Sequence, residues 1–281
     1  MTHSSTLDII DAHQHVGDLS DSLTMDGAAH GQRESEDVRR ERDVAKRLAL
    51  LDQQHVRQSV IIASHAYLRP DGIADTRRVN EGVVRYCQVR PDRFPYPVGV
   101  VEPLYGERGL AELDRCRDEL GMTGISFHTR FQGVALDSPW MFRYLERMGE
   151  LGLVPFVHAL GVIADQALWR VDKLARAMPD LTMVVLAGFA DAETPLQLHD
   201  VADRNPNLVF DISLAINFET FVEPAVRRLG AHRFVFGSDT YSAATRPGHV
   251  LGQLLGSAMD DADKAAIAGG NIRRVLSAAS R

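Results

Sequence analysis

Cysteine is scarce: the 281 residues hold only Cys87 and Cys116. Both fall in stretches of helical period, so neither a disulfide framework nor a cysteine-built metal site is expected. A reducing compartment such as the cytoplasm fits that usage, and the start Met1-Thr2-His3-Ser4-Ser5 lacks the basic and apolar regions of a signal peptide. No apolar run approaches the roughly 20 residues of a membrane span, so no membrane partner is expected. Basic charge is also short, with 31 Lys+Arg against 38 Asp+Glu and a net charge of -7. That balance argues against nucleic acid or an anionic bilayer as partner and leaves a small molecule.

What the chain does have is rhythm. Short β-rich runs, Leu7 to Ala12, Ser59 to Ala63, Tyr96 to Val101, Gly124 to Phe127, Val154 to Val157, Thr182 to Ala187, Leu208 to Ile212 and Phe234 to Gly237, alternate with amphipathic stretches. The latter predict helices near 43–55, 75–90, 106–120, 138–151, 164–178, 194–204, 218–229 and after 249. Asp137-Ser138-Pro139 and Thr194-Pro195 read as N-caps followed by proline in the first turn. Eight strand–helix units in this length predict an α/β fold, a (β/α)8 TIM barrel spanning 1–281 as one domain. A doubly wound open sheet is the alternative. Residues 16–42 break the rhythm with a polar, Gly- and Ser-rich stretch directly after the first strand, which reads as a lid loop or a solvated insertion.

In a barrel, residues at the C-terminal ends of strands converge on one mouth. The histidines and acids placed there are His13 and His15, His65, His128, His158 and Asp239. His13 and His15, two apart on a strand, point to the same side and look like half of a metal site. Nitrogen and oxygen donors without a thiolate suit zinc, manganese, iron or cobalt. His128 falls on the face of Ser126, opposite Ile125 and Phe127.

The HxH, the phrase Phe156-Val157-His158-Ala159-Leu160 and the phrase Phe236-Gly237-Ser238-Asp239 resemble the amidohydrolase superfamily. The likeness is closer to its amidohydrolase-related branch of hydrolases, hydratases and non-oxidative decarboxylases. Asn80 through Arg90-Pro91-Asp92-Arg93-Phe94 and the closing Gly270-Asn271-Ile272-Arg273-Arg274-Val275-Leu276 are similar to that branch as well. The resemblance implies His13, His15, His158 and Asp239 as ligands of one divalent metal ion, zinc by default with manganese or iron as alternatives. It implies Asp239 as a proton acceptor too, and, since many relatives are dimers, a homodimer. One departure stands out: Gly188 occupies the place where the branch carries a strand-six histidine. Ser126, near where binuclear relatives place a carboxylated lysine, favours a single ion. His128 is the preferred replacement for the missing helper, ahead of Asp191 and His65. Arg130, which could clasp a substrate carboxylate, joins His65, Tyr67 and Tyr241 as expected substrate contacts, with Arg69 and Arg246 as weaker candidates. The expected activity is hydrolysis of a small ester, lactone or amide through metal-activated water. The alternatives are a decarboxylase or hydratase of the same architecture, or a barrel that only binds a ligand.

Overall fold

The apolar runs pair side by side as one parallel sheet in the computed structural model of the chain, which describes residues 7–16, 35–240 and 248–279. Strands β1 (Ile9–Val16), β2 (Val56–Ala63), β3 (Tyr96–Val100), β4 (Gly124–Phe127), β5 (Val154–His158), β6 (Met183–Leu186), β7 (Leu208–Asp211) and β8 (Phe234–Val235) neighbour one another in chain order. The two ends of the sheet meet. Ala12 N donates to Phe236 O (2.9 Å) and Asp239 N to His13 O (2.8 Å), beside a parallel bridge from Gln14 to Thr240. The principal helices on the outside are α1 (Glu36–Gln53), α2 (Ile73–Val89), α3 (Glu107–Asp118), α4 (Pro139–Leu151), α5 (Leu168–Ala177), α6 (Glu193–Arg204), α7 (Glu223–Leu229), α8 (His249–Gly256) and α9 (Asn271–Ala279). The architecture is the expected (β/α)8 barrel. No described helix is long and apolar enough to cross a membrane.

Alternation along the strands divides the core in two. Ile10, Val60, Ile62, Val98, Phe156, Val184, Leu186, Val209 and Val235 fill the barrel interior. Ile61, Ile125, Phe127, Val157, Val185 and Phe210 pack outward under the helices. Helix α9 adds Ile272, Val275 and Leu276 to the interior cluster and touches β1, β5 and β8, sealing the end of the barrel away from the strand C-termini. Asn271 anchors that plug by donating through Nδ2 to Ala231 O and Phe234 O, both at 2.8 Å. Asn80 does similar work on β3, exchanging two 2.9 Å hydrogen bonds with the backbone of Val100. These two sequence phrases are therefore fold anchors, distant in role from the mouth.

Strand β1 carries a bulge. Asp11 pairs with Ser59 but Gln14 with Ile61, so three steps on β1 match two on β2. Ile10 and Ala12 face the interior, and after the extra residue the parity flips: His13 and His15 face the mouth while Val16 joins the outer layer. The Asp11 carboxylate holds the kink, accepting from His13 N (3.1 Å), Ser238 N (2.9 Å) and Gln14 Nε2 (2.7 Å).

Three expectations need correction. Helix α1 begins at Glu36, capped by Ser35, so residues 36–42 of the expected lid are helical; 17–34 lie outside the described residues. Charged surface residues with no apolar stripe hid these first two turns. Ser138 caps α4 as predicted, but Thr194 does not cap α6. That helix starts at Glu193, and its Thr194 N is received by Asp191 Oδ1 at 2.7 Å. Strand β1 also runs on through both histidines to Val16.

Candidate metal centre

The bulge brings His13 and His15 to the mouth, and the last residue of β5 brings His158. Ligand nitrogens of these three buried residues lie within 4.8 Å of one another. His13 Nε2 and His15 Nε2 are 3.0 Å apart, and Asp239 Oδ1 lies 3.4 Å from the first and 3.5 Å from the second. Two rings are oriented from behind. His13 Nδ1–H donates to Asp211 Oδ2 at 2.7 Å, and His158 Nδ1–H donates to Phe127 O at 3.1 Å. Each ring therefore turns its Nε2 inward, the nitrogen by which an imidazole so held would ligate a metal. The donor set fits a divalent ion such as zinc or manganese: several nitrogens and one carboxylate oxygen, converging on one point with a carboxylate and a backbone carbonyl behind.

Charge within the cluster follows from burial. Desolvation lowers the His13 pKa, but Asp239, Asp211 and Asp11 outweigh it and raise the value to about 9. Those carboxylates ask for a cation at this point. His15, His65 and His158 go the other way, well below the ordinary imidazole value, through burial and then through neighbouring imidazolium charge. His128 falls to about 4, from burial first and then from the Arg130 and His13 charges. Apart from His13, the mouth is a nest of neutral imidazoles.

Beside the cluster is a cavity of about 130 Å³, lined by His15, Ser64, His65, Ala66, His128, Phe131, His158, Leu160, Ala187, Leu214 and Asp239. His65 Nε2 is 3.1 Å from Ser126 Oγ, so Ser126 faces inward as alternation predicts. Of the other expected contacts, Tyr67 turns away: its hydroxyl donates to Glu102 Oε1 (2.5 Å) and meets Thr76 Oγ1 (2.8 Å). Arg69 is engaged by the same Glu102 carboxylate at 2.8 Å. Arg130 is exposed at the rim, 6.0 Å from the Phe131 ring centre. Tyr241 and Arg246 lie outside the described residues. Asp191 is spent on structure, accepting from Gly161 N (2.6 Å) as well as Thr194 N (2.7 Å).

The strand-six departure also reads differently in three dimensions. Ala187, in the left-handed region at φ 58°, lines the cavity. A Cβ on Gly188 would sit 3.8 Å from Phe210 and 4.0 Å from Val185, in the outer layer. The cavity-facing position after β6 is thus Ala187; either way no titratable group is supplied there. Leu214 and Asp239 share the left-handed backbone, so three successive strand ends bordering the cavity hold conformations that cost non-glycine residues energy.

Sequence reasoning missed the residues behind the ligands. Asp211 interrupts the apolar run Leu208-Val209-Phe210-Asp211-Ile212 at a strand's C-terminal end, the signal that singled out His158. Ser213, which donates to Asp211 and approaches His13 Nδ1 at 3.2 Å, had no such signal, nor had Gln166, whose amide lies 2.7 Å from Nδ1 of His128 at the cavity wall.

Parallel strands closed into a barrel, with imidazoles and a carboxylate gathered at their C-terminal ends, define a barrel with a candidate metal centre. The family model described as Amidohydrolase matches residues 10–277, and the chain belongs to that family. The 2-amino-3-carboxymuconate-6-semialdehyde decarboxylase of Dictyostelium discoideum is 30% identical over 88 residues, which is 31% of this chain and 24% of that protein. The match thus spans about a quarter of the curated relative's length. A 5-carboxyvanillate decarboxylase variant from Novosphingobium aromaticivorans, with bound manganese and 3-methoxy-4-hydroxy-5-nitrobenzoic acid, aligns at TM-score 0.72 and 15% identity, covering 98% of this chain and 99% of that one. A 4-oxalomesaconate hydratase from Rhodopseudomonas palustris aligns at TM-score 0.72 and 16% identity, covering 97% and 96%. At these identities the likeness is one of fold.

Proposed function

We propose that this chain is a metal-dependent lyase that decarboxylates, or in a related step hydrates, a small unsaturated or aromatic carboxylic acid. The observation that carries the reading is the cluster of His13, His15, His158 and Asp239 beside a cavity of neutral imidazoles and apolar walls, in a chain whose similar proteins include decarboxylases and a hydratase. The four residues are the proposed ligands of one divalent ion. The imidazole-rich set suits zinc, and manganese is the ion bound in the similar Novosphingobium structure. When bound, such an ion supplies Lewis-acid polarisation of a substrate oxygen.

The chain's own residues do the rest. Phe131, Leu160, Ala187 and Leu214 wall the cavity against water and favour a flat, apolar substrate body. His128, neutral and at the cavity wall, handles the proton exchanged at substrate carbon or oxygen; His65 offers a second imidazole at its side. Arg130, at the rim, attracts an anionic substrate to the entrance. The same ligands would serve a hydrolase of esters, lactones or amides, and product analysis separates the two.

The test is to load the purified protein with zinc or manganese and incubate it with ortho-hydroxy aromatic acids, unsaturated dicarboxylic acids and lactones. Metal-dependent release of carbon dioxide, or addition of water to a double bond, that vanishes in His158→Ala is the expected result. Turnover confined to lactones or esters overturns the lyase reading in favour of a hydrolase. No metal uptake and no turnover leaves a ligand-binding barrel.

A further inference from the structure

His128 is gripped on every side but one. Its backbone N donates to Gln132 Oε1 at 2.9 Å, and its ring packs edge-on to Phe131 (4.7 Å between centres) and against His158 (4.4 Å). The ring's Nδ1 lies 2.7 Å from the Gln166 amide, which is fully buried at the end of the turn Ala164–Gln166 after β5. That turn is itself fixed, with Gln166 N donating to Ile163 O (2.8 Å) and Leu136 N to Asp165 O (3.0 Å).

The Gln166 end-group faces two backbone donors besides His128: Thr129 N at 2.9 Å and Arg130 N at 3.2 Å. A backbone N–H can only donate, so the amide must present its oxygen to both. That same oxygen is what Nδ1 meets, and two acceptors do not make a hydrogen bond; Nδ1 must therefore carry the proton. In neutral imidazole the other nitrogen then keeps its lone pair. His128 lines the cavity, and no described protein group hydrogen-bonds to its Nε2.

We propose that Gln166 is a positioning residue: its buried amide oxygen fixes His128 in the Nδ1–H tautomer, so that Nε2 meets the substrate as an acceptor of a hydrogen bond or proton. The destination of that proton rests on the lyase reading above; the tautomer does not.

The test is nitrogen NMR of protein carrying ¹⁵N-histidine, with the His128 signals identified by their loss in His128→Gln. The wild type shows His128 as a single Nδ1–H imidazole. Gln166→Leu removes the acceptor and loses that single signature, whereas Gln166→Glu, which keeps an acceptor oxygen, retains it. On an acid that the wild type turns over, Gln166→Leu lowers kcat by about 10–100-fold, as loss of an orienting partner does at metal sites, with KM changed by less than about threefold. Bound zinc in Gln166→Leu stays at the wild-type level. An Nε2–H pattern in the wild type overturns the proposal without any variant, as does an unchanged pattern in Gln166→Leu. If Gln166→Leu does not fold, the wild-type spectrum and Gln166→Glu decide. If the tautomer behaves as expected but no acid is turned over, the lyase reading fails while the role of Gln166 stands.

Discussion

At the scale of single residues, the candidate centre depends on groups that would not touch a metal at all. Asp211 is fully buried and gives one oxygen to His13 Nδ1–H and the hydroxyl of Ser213. It reaches His13 only because residue 237 is glycine: a Cβ there would lie 2.3 Å from Asp211 Oδ1 and 2.7 Å from His13 Cβ. Asp211→Asn keeps the shape but offers a weaker, neutral acceptor or a donor to a nitrogen that should donate. Metal affinity is expected to fall about 10–100-fold. Gly237→Ala forces the carboxylate and the imidazole apart and is expected to fall at least as far. Titration of the metal-stripped variants with zinc measures both. Wild-type affinity in either variant would mean that His13 is oriented by something other than this carboxylate.

At the scale of elements, what positions the two histidines is the bulge, and what braces the bulge beside Asp11 is Arg47 on α1. That guanidinium is completely buried, yet it donates to Gln14 Oε1 (2.8 Å), His15 O (2.7 Å) and the Tyr86 hydroxyl (2.8 Å). Tyr86 passes the contact on, donating to Asp43 at 2.6 Å. Arg47→Met fills much of the same space but leaves these buried acceptors without their donor. It is expected to cost about 3 kcal/mol, read as a lower urea midpoint with an unchanged slope. A loss below about 1 kcal/mol would show that the kink is held by Asp11 alone. This element also marks where the sequence stops being legible. Apolar runs located the strands and the mouth and placed His13, His15, His65, His128, His158 and Asp239 there, because the period-two pattern and the barrel rule are both local; the choice of His13, His15, His158 and Asp239 among them came from the family resemblance. Strict alternation from Ile10, however, would have aimed His13 and His15 outward. The inserted residue depends on Asp11 accepting from Ser238, 227 positions away, and no local pattern carries that. Tyr67 is a like case, its hydroxyl drawn off by Glu102 on another element, whereas Thr194 and the start of α1 turn on the nearby residues Asp191 and Ser35 in stretches without an apolar stripe.

At the scale of the whole molecule, the barrel is closed differently at its two ends. The end beneath the strands is plugged by Ile272, Val275 and Leu276 of α9, an apolar seal that stabilises at all times. The mouth is instead crowded with buried carboxylates and imidazoles, including Asp11, His13, Asp211 and Asp239. Buried like charges are costly unless a counter-charge joins them, so an ion bound there should contribute to folding as well as to chemistry. A ligand held only by the folded state at a hundred times its Kd adds about 2.7 kcal/mol. For a chain of this size that corresponds to a rise of roughly 5 °C in Tm. Stripping the metal with a chelator is therefore expected to lower Tm by about that amount, and restoring zinc or manganese to recover it. The control is the His13→Ala, His15→Ala double variant, whose Tm should not respond to chelator or metal. An equal response in the double variant would locate the stabilising ion elsewhere on the molecule, and no response in the wild type would remove the ion from the stability of this fold.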